Sequence, residues 1–129
     1  MRTFVAVVFG ALVAVAGWTD GAEAQNVEAF LAGTSKDCRG CNLANAKLKR
    51  RNLAGADLSG ANLAGASFHR SNLRGANFQN AFTYNANFEN TDLSGVKNLV
   101  QEQIDIACGD DTTVLPQGLK KPQRWDCED

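Results

Sequence analysis

The chain has 129 residues, 44% hydrophobic and 21% charged, with a formal net charge of −1. That length suffices for one small domain and no more. So even a charge balance gives no reason to expect a nucleic-acid partner.

Residues 1–24 read as a secretory signal. Arg2 supplies a positive start, Phe4–Gly17 is an uncharged, mostly apolar run of fourteen, and Ala22-Glu23-Ala24 puts small residues where a signal peptidase cuts. The run is too short for a comfortable membrane span, and no Cys follows it to take a lipid anchor. The expectation is a periplasmic or secreted protein, mature from Gln25, with no membrane span after cleavage. Without Arg2, Asp20 and Glu23, twelve basic and twelve acidic residues remain, unevenly placed. Lys36 to Arg74 holds eight basic residues against Asp37 and Asp57, a net of +6. From Gly75 onward, four basic residues face nine acidic ones, a net of −5.

Residues 25–40 read as an N-terminal cap. Asn26–Ala32 is expected to form a short helix with Asn26 as N-cap and Gly33 as stop, placing Val27, Phe30 and Leu31 on one face. Cys38-Arg39-Gly40-Cys41 follows, and its C-x-x-C is open to several readings. It is a disulfide clip or a pair of small core residues; or a redox motif, although no strand–helix thioredoxin pattern surrounds it. A zinc site would need two more ligands, and Cys108 and Cys127 have no suitable spacing.

Cys41 to Gly95 divides without insertion into eleven five-residue units. The third residue is Leu or Phe in ten units, the first is small in ten, and the second is Asn or Asp in eight. Residues five apart smear around a helix and alternate faces along a strand, so the chain must turn within every unit. Each unit then forms one side of a polygonal coil, with its first and third residues inward and its fourth and fifth at the corner. The fifth residue is Gly in five units and Asn in four, the types that tolerate a tight or left-handed corner. Stacked units of this kind make a solenoid.

The A-[DN]-[LF]-x-x pattern resembles that of the pentapeptide-repeat family, over 55 of the 129 residues. The resemblance implies an all-β solenoid, a right-handed four-sided β-helix with four units per coil. Eleven units would then make about 2.75 coils, roughly 13 Å tall. A short capping helix is expected at each end; exported members of that family often carry one before a C-x-x-C. In this register Cys41 faces inward at the first coil and Cys38 lies just outside.

Residues twenty apart should stack into interior columns: Leu48, Phe68 and Phe88; Leu53, Leu73 and Leu93; Leu58 and Phe78; Leu43, Leu63 and Thr83. Two units depart from the rule. Arg51 stacks with Ser71 and Thr91 in a column without Ala, near the open end where its side chain reaches water. In Ala81-Phe82-Thr83-Tyr84-Asn85 the aromatic residues hold outward positions and the inward centre is Thr83. Either Phe82 and Tyr84 are exposed as a contact surface, or a bulge tucks Phe82 inside. Lys47, Lys49, Arg50, His69, Arg70 and Arg74 hold outward positions as a modest basic patch suited to an acidic partner, or simply as a solvated face. His69 has no Cys, Asp or Glu in its own unit and reads as a surface residue.

After Gly95 the period breaks. Residues 96–109 contain a helical pattern, Leu99–Ala107, with Asn98 as cap and Gly109 as stop, which is expected to cover the last coil. Residues 110–129 read as an irregular tail whose Leu115, Leu119 and Trp125 lie along the outer wall. Cys108 and Cys127 are expected to form a disulfide that staples this tail to the helix.

No nucleophile–base–orienter trio and no nucleotide, phosphate-loop, metal or haem motif is apparent, so no cofactor is expected. The expected function is that of an exported, non-catalytic scaffold or protein-interaction module. One alternative is a thiol–disulfide redox protein using Cys38 and Cys41. The other comes from the family resembled, whose long acidic members imitate duplex DNA and bind topoisomerases; this chain is short, and its first units are basic.

Overall fold

A computed structural model describes residues 26–128. The signal sequence expected at residues 1–24 lies outside them. In each unit the second residue makes a parallel bridge to the residue twenty positions away, and the fourth and fifth make a turn. The bridges define four faces. The first carries Asp37, Asp57, Asn77 and Lys97; the second Asn42, Asn62 and Phe82; the third Lys47, Ser67, Asn87 and Cys108; the fourth Asn52, Asn72, Asp92 and Val114. This ladder runs past both ends of the 41–95 stretch. A further unit, Lys36–Gly40, opens it in register, and Lys97, Cys108 and Val114 carry three faces one step beyond Gly95.

Every corner residue from Gly40 to Gly95 has φ between 51° and 74°, which explains the Gly and Asn found there. The Asn or Asp at second positions has its own structural task. In all eight such units its Oδ1 accepts the main-chain N–H of the fourth residue, from Asn42 with Ala44 at 3.2 Å to Asp92 with Ser94 at 2.9 Å. Each side chain thereby holds its own corner and occupies a donor that the ladder leaves unpaired.

The interior is layered. The ten Leu and Phe residues of the third positions are buried, and Phe68 stacks on Phe88 at 5.5 Å with Phe78 at an angle beside both. The column that lacks Ala is a ladder of buried hydroxyls. Ser71 Oγ donates to the Leu48 carbonyl, Thr91 Oγ1 to that of Phe68 at 2.8 Å, and Thr113 Oγ1 to that of Phe88 at 2.7 Å. Each bond ties one coil to the coil before it. At the head of this column the Arg51 guanidinium donates to the Leu31 carbonyl at 2.6 Å, so it fastens the N-terminal helix rather than reaching only into water.

That helix, α1, is seen over residues 26–32, with Asn26 already inside it rather than capping it. Gly33 ends it at φ 82°, donating to Phe30 O, while Thr34 N–H donates to Ala29 O. Phe30 is fully buried over the first coil, but Leu31 is exposed. Cys38 is not outside the coil. It fills the inward third position of the additional unit and is as fully buried as Cys41, to which it is disulfide-bonded.

At the other end, α2 spans Gln101–Asp105, shorter than the expected nine residues, with Val100 rather than Asn98 at its N-cap. Here the second face loses its next bridging strand, and Gln103 substitutes for it. Its Nε2 donates to the carbonyls of Phe78 (2.8 Å) and Ala81 (2.9 Å), and its Oε1 accepts from Val100 N–H at 2.8 Å. Thr83 is polar for the same reason: its hydroxyl donates to the main-chain oxygen of Gln103 at 2.7 Å, where a Leu would bury that oxygen unpaired. The following segment, 110–128, has no helix or strand, only turns and the single bridge at Val114. Cys108 and Val114 continue the ladder, and Trp125 is buried at the end of the column rather than along the wall. Its Nε1 donates to the carbonyls of Ile104 and Ala107, and its ring lies so close to Gly109 that a Cβ there would meet it at 2.5 Å. Gly109 is therefore a packing site and not the helix stop. Cys108 and Cys127 are disulfide-bonded.

Replacing Gln103 by Leu strips the Ala81 carbonyl of its donor and should destabilise the protein by about 1–3 kcal/mol, against less than about 0.5 kcal/mol for the exposed Glu102→Ala. Urea unfolding of the two variants reads the difference. Acid acts on three carboxylates. Asp37 is held below its ordinary pKa by the Arg39 guanidinium and main-chain N–H. For Asp92 and Asp110 partial burial pushes upward, but donors outweigh it: the N–H and hydroxyl side of Ser94 for the first, and Thr112, Asn90 and Thr113 for the second. A depressed folded pKa means stability present above the ordinary carboxylate range and lost as pH falls through the lowered values. Thermal midpoints should therefore decline below about pH 4, and Asp110→Asn should flatten that decline.

Candidate interaction surface

Three units lack the side-chain clamp at their corner, because their second residue is Lys47, Ser67 or Phe82. Their fourth residues are Lys49, His69 and Tyr84, every one a residue singled out by the sequence. All three units lie on the adjoining second and third faces. The corner device is thus given up only where the surface carries chemistry.

Phe82 and Tyr84 are the plainest case. Phe82 keeps its bridge to Asn62, so the unit has no bulge, and the two rings stand outward, 52% and 54% exposed. They stack on one another at 6.3 Å and 12°. A depression of about 480 Å³ beside Phe82 is lined by Gln79, Asn80, Asn98, Val100 and Gln103. Another, of about 570 Å³, lies beside Tyr84 and is lined by Asp105, Ile106, Cys108, Asp126 and Glu128. Val100 and Ile106 are themselves exposed, so the aromatic pair is the centre of an apolar strip, with a mostly apolar hollow beside Phe82 and one of mixed character beside Tyr84. The contribution of α2 and of residues 126–128 to this site was missed from sequence. Only the disulfide and Trp125 bring those residues next to Tyr84.

The basic patch divides. Lys47, Lys49, Arg50, His69 and Arg70 share the third face, but Arg74 belongs to the fourth, 3.9 Å from Asp92. His69 Nδ1 lies 3.7 Å from Glu89 Oε1 of the next coil, a neighbour that its own unit does not reveal. Lys47, Lys49, Arg50 and Arg70 make no ion pair among the described residues. Arg50 and Arg70 occupy left-handed corners at φ 58° and 62°, where every other unit from Cys41 to Gly95 has Gly or Asn. A charged side chain is kept there at a conformational cost.

The four cysteines offer no free thiol, being paired as Cys38–Cys41 and Cys108–Cys127. No group of three or more metal-ligating side chains is gathered among the described residues. No described helix is long and apolar enough to cross a membrane.

A family model described as Pentapeptide repeats matches residues 37–75 and 71–97, in eight copies. The chain belongs to the pentapeptide-repeat family. Its fold is accordingly the right-handed quadrilateral β-helix of pentapeptide-repeat proteins. Among solved structures it is similar to alr5209, a pentapeptide-repeat protein from Nostoc Pcc 7120, at 26% identity and a TM-score of 0.50, over 75% of this chain and 87% of that one. A looser likeness is to QnrB1, a plasmid-mediated fluoroquinolone resistance protein, at 26% identity and a TM-score of 0.45, over 67% and 38% of the two chains. Another is to Rfr23 from the cyanobacterium Cyanothece 51142, at 21% identity and a TM-score of 0.35, over 71% and 98%. No curated protein sequence matches the chain.

If Arg70 is held at its corner against backbone preference, Arg70→Gly should raise stability by about 0.5–1 kcal/mol while removing the charge. Chemical unfolding checks this; an unchanged or lowered midpoint would refute the strain.

Proposed function

We propose that this pentapeptide-repeat protein is an exported, non-catalytic scaffold or protein-interaction module that meets its partner through the second and third faces. The observation that carries the reading is the stacked, half-exposed pair Phe82 and Tyr84, set in the one unit from Cys41 to Gly95 whose third residue is neither Leu nor Phe. A pattern that buries an apolar side chain in every other unit here puts two aromatic rings into solvent, and exposed aromatic surface of that kind favours a protein contact. Export is supported by the signal-like residues 1–24 and by two disulfides, bonds that persist in an oxidising compartment. The ends of the column are the work of α1 and α2, which we take as caps on the β-helix.

The thiol–disulfide reading has no comparable support. Both Cys38 and Cys41 are fully buried, so an attacking thiolate has no line of approach to either sulfur. Imitation of DNA is disfavoured by the cations on the third face, where an acidic surface would be required.

The test is capture of partners from the protein's own periplasmic or secreted fraction by wild type and by Phe82→Ser/Tyr84→Ser. Both positions are exposed, so the double variant should fold with an unfolding midpoint close to wild type. A partner retained by the wild type and lost by the variant is the expected result. A partner bound equally by both would move the contact to the basic patch.

A further inference from the structure

The third face carries its charge in order along the column. Lys47, Lys49 and Arg50 stand on the first coil and Arg70 on the second, whereas Glu89 stands on the third. At the far end Asp105, Asp126 and Glu128 gather around the hollow beside Tyr84. None of these three carboxylates is in an ion pair among the described residues, and neither are the four cations. At about 4.8 Å per coil Lys47, Lys49 and Arg50 stand roughly 14 Å from the far end, with Arg70 one coil nearer, against a Debye length of about 8 Å at physiological salt. The two ends therefore act as separate patches instead of neutralising one another.

We propose that the occupant of this surface is a second copy of the chain, laid alongside the first and antiparallel to it. The proposal rests on the reading of the second and third faces as an interaction surface, and it names the partner. A two-fold axis in the plane of contact and perpendicular to the column exchanges the ends, so each basic end meets an acidic end, twice. The axis passes near the middle of the column, where His69 and Glu89 lie 3.7 Å apart. Phe82, Tyr84 and Ile106, all exposed, supply the water-excluding part of the contact, and the charged ends supply its rim and its register. The surface is self-complementary because its cations and its carboxylates lie toward opposite ends of the column. Such an isologous pair closes at two copies, whereas the same ends joined head to tail would run on as a filament. The loss of the corner clamp at Lys47, Ser67 and Phe82, all within this surface, fits a face that gives up stability for contact.

The experiment is sedimentation velocity on protein expressed from the full-length reading frame, at low and at high salt. A dimer at low salt that dissociates at high salt is expected. Lys47→Glu/Lys49→Glu/Arg50→Glu/Arg70→Glu and Asp105→Lys/Asp126→Lys/Glu128→Lys should each be monomeric at low salt. All seven substitutions in one chain should restore the dimer, since the two patches are then exchanged. Circular dichroism confirms that each variant, altered only at outward positions, is folded. A wild type monomeric at low salt, a dimer indifferent to either swap, growth into larger species, or a folded seven-fold variant that stays monomeric would each overturn the proposal. Loss of a captured partner by Phe82→Ser/Tyr84→Ser alongside a monomeric wild type would leave the interaction surface standing and remove the second copy as its occupant.

Discussion

A circuit of twenty residues must close on itself, so that each second-position residue meets the residue twenty positions on. The parallel bridges depend on that closure, and so does the stacking of Leu or Phe in the interior. Closure depends in turn on four corners, each needing one residue in the left-handed region and one donor held in place. Gly or Asn supplies the first at most corners, and the second-position Asn or Asp supplies the other. A single inserted residue would turn every later side chain to the wrong face, which is why the eleven units contain none.

Where the chain leaves the repeat, the same accounting of donors and acceptors explains what replaces it. The second face has no strand after Phe82; the amide of Gln103 takes over the bond to the Ala81 carbonyl that a strand would have made, and the Ile106 carbonyl accepts from Asn85 N–H. Thr83 is then polar because a main-chain oxygen of α2 has taken the place of an apolar neighbour. Ser71, Thr91 and Thr113 hold successive coils together from inside, at the corner where Ala is absent. A buried hydroxyl is tolerated at each because a carbonyl within 3 Å accepts its proton. The departures from the consensus are therefore of two kinds, those satisfied inside the column and those presented to solvent.

The second kind gathers on two adjoining faces. Lys47, Ser67 and Phe82 forgo the corner clamp, Arg50 and Arg70 accept a backbone region that disfavours them, and Phe82 and Tyr84 place rings in water. None of these choices places a large side chain in the core. Their coincidence on one surface is the physical basis for reading that surface as functional, since each of them alone is ordinary for a soluble protein.

Much of this was legible in the residues themselves. The five-residue period forces a turn in every unit, so a polygonal coil with inward first and third residues follows from side-chain direction; its four sides came from the family resemblance, and the outward positions of Phe82 and Tyr84 left a bulge open as the alternative. The pairing of Cys108 with Cys127 followed from which thiols could close a loop. Other features required the tertiary structure. Lys36–Gly40 hides its membership because Cys38 stands where Leu or Phe is expected, although Asp37 and Gly40 fit the pattern; the bridge from Asp37 to Asp57 gives the phase. Thr83 and Gln103 are partners across twenty residues with no shared pattern, and Tyr84 meets Asp126 and Glu128 only because Trp125 and a disulfide fold the C-terminal segment back. Local periodicity reports the direction in which a side chain points; what it meets there is decided by contacts between segments whose spacing no repeat prescribes.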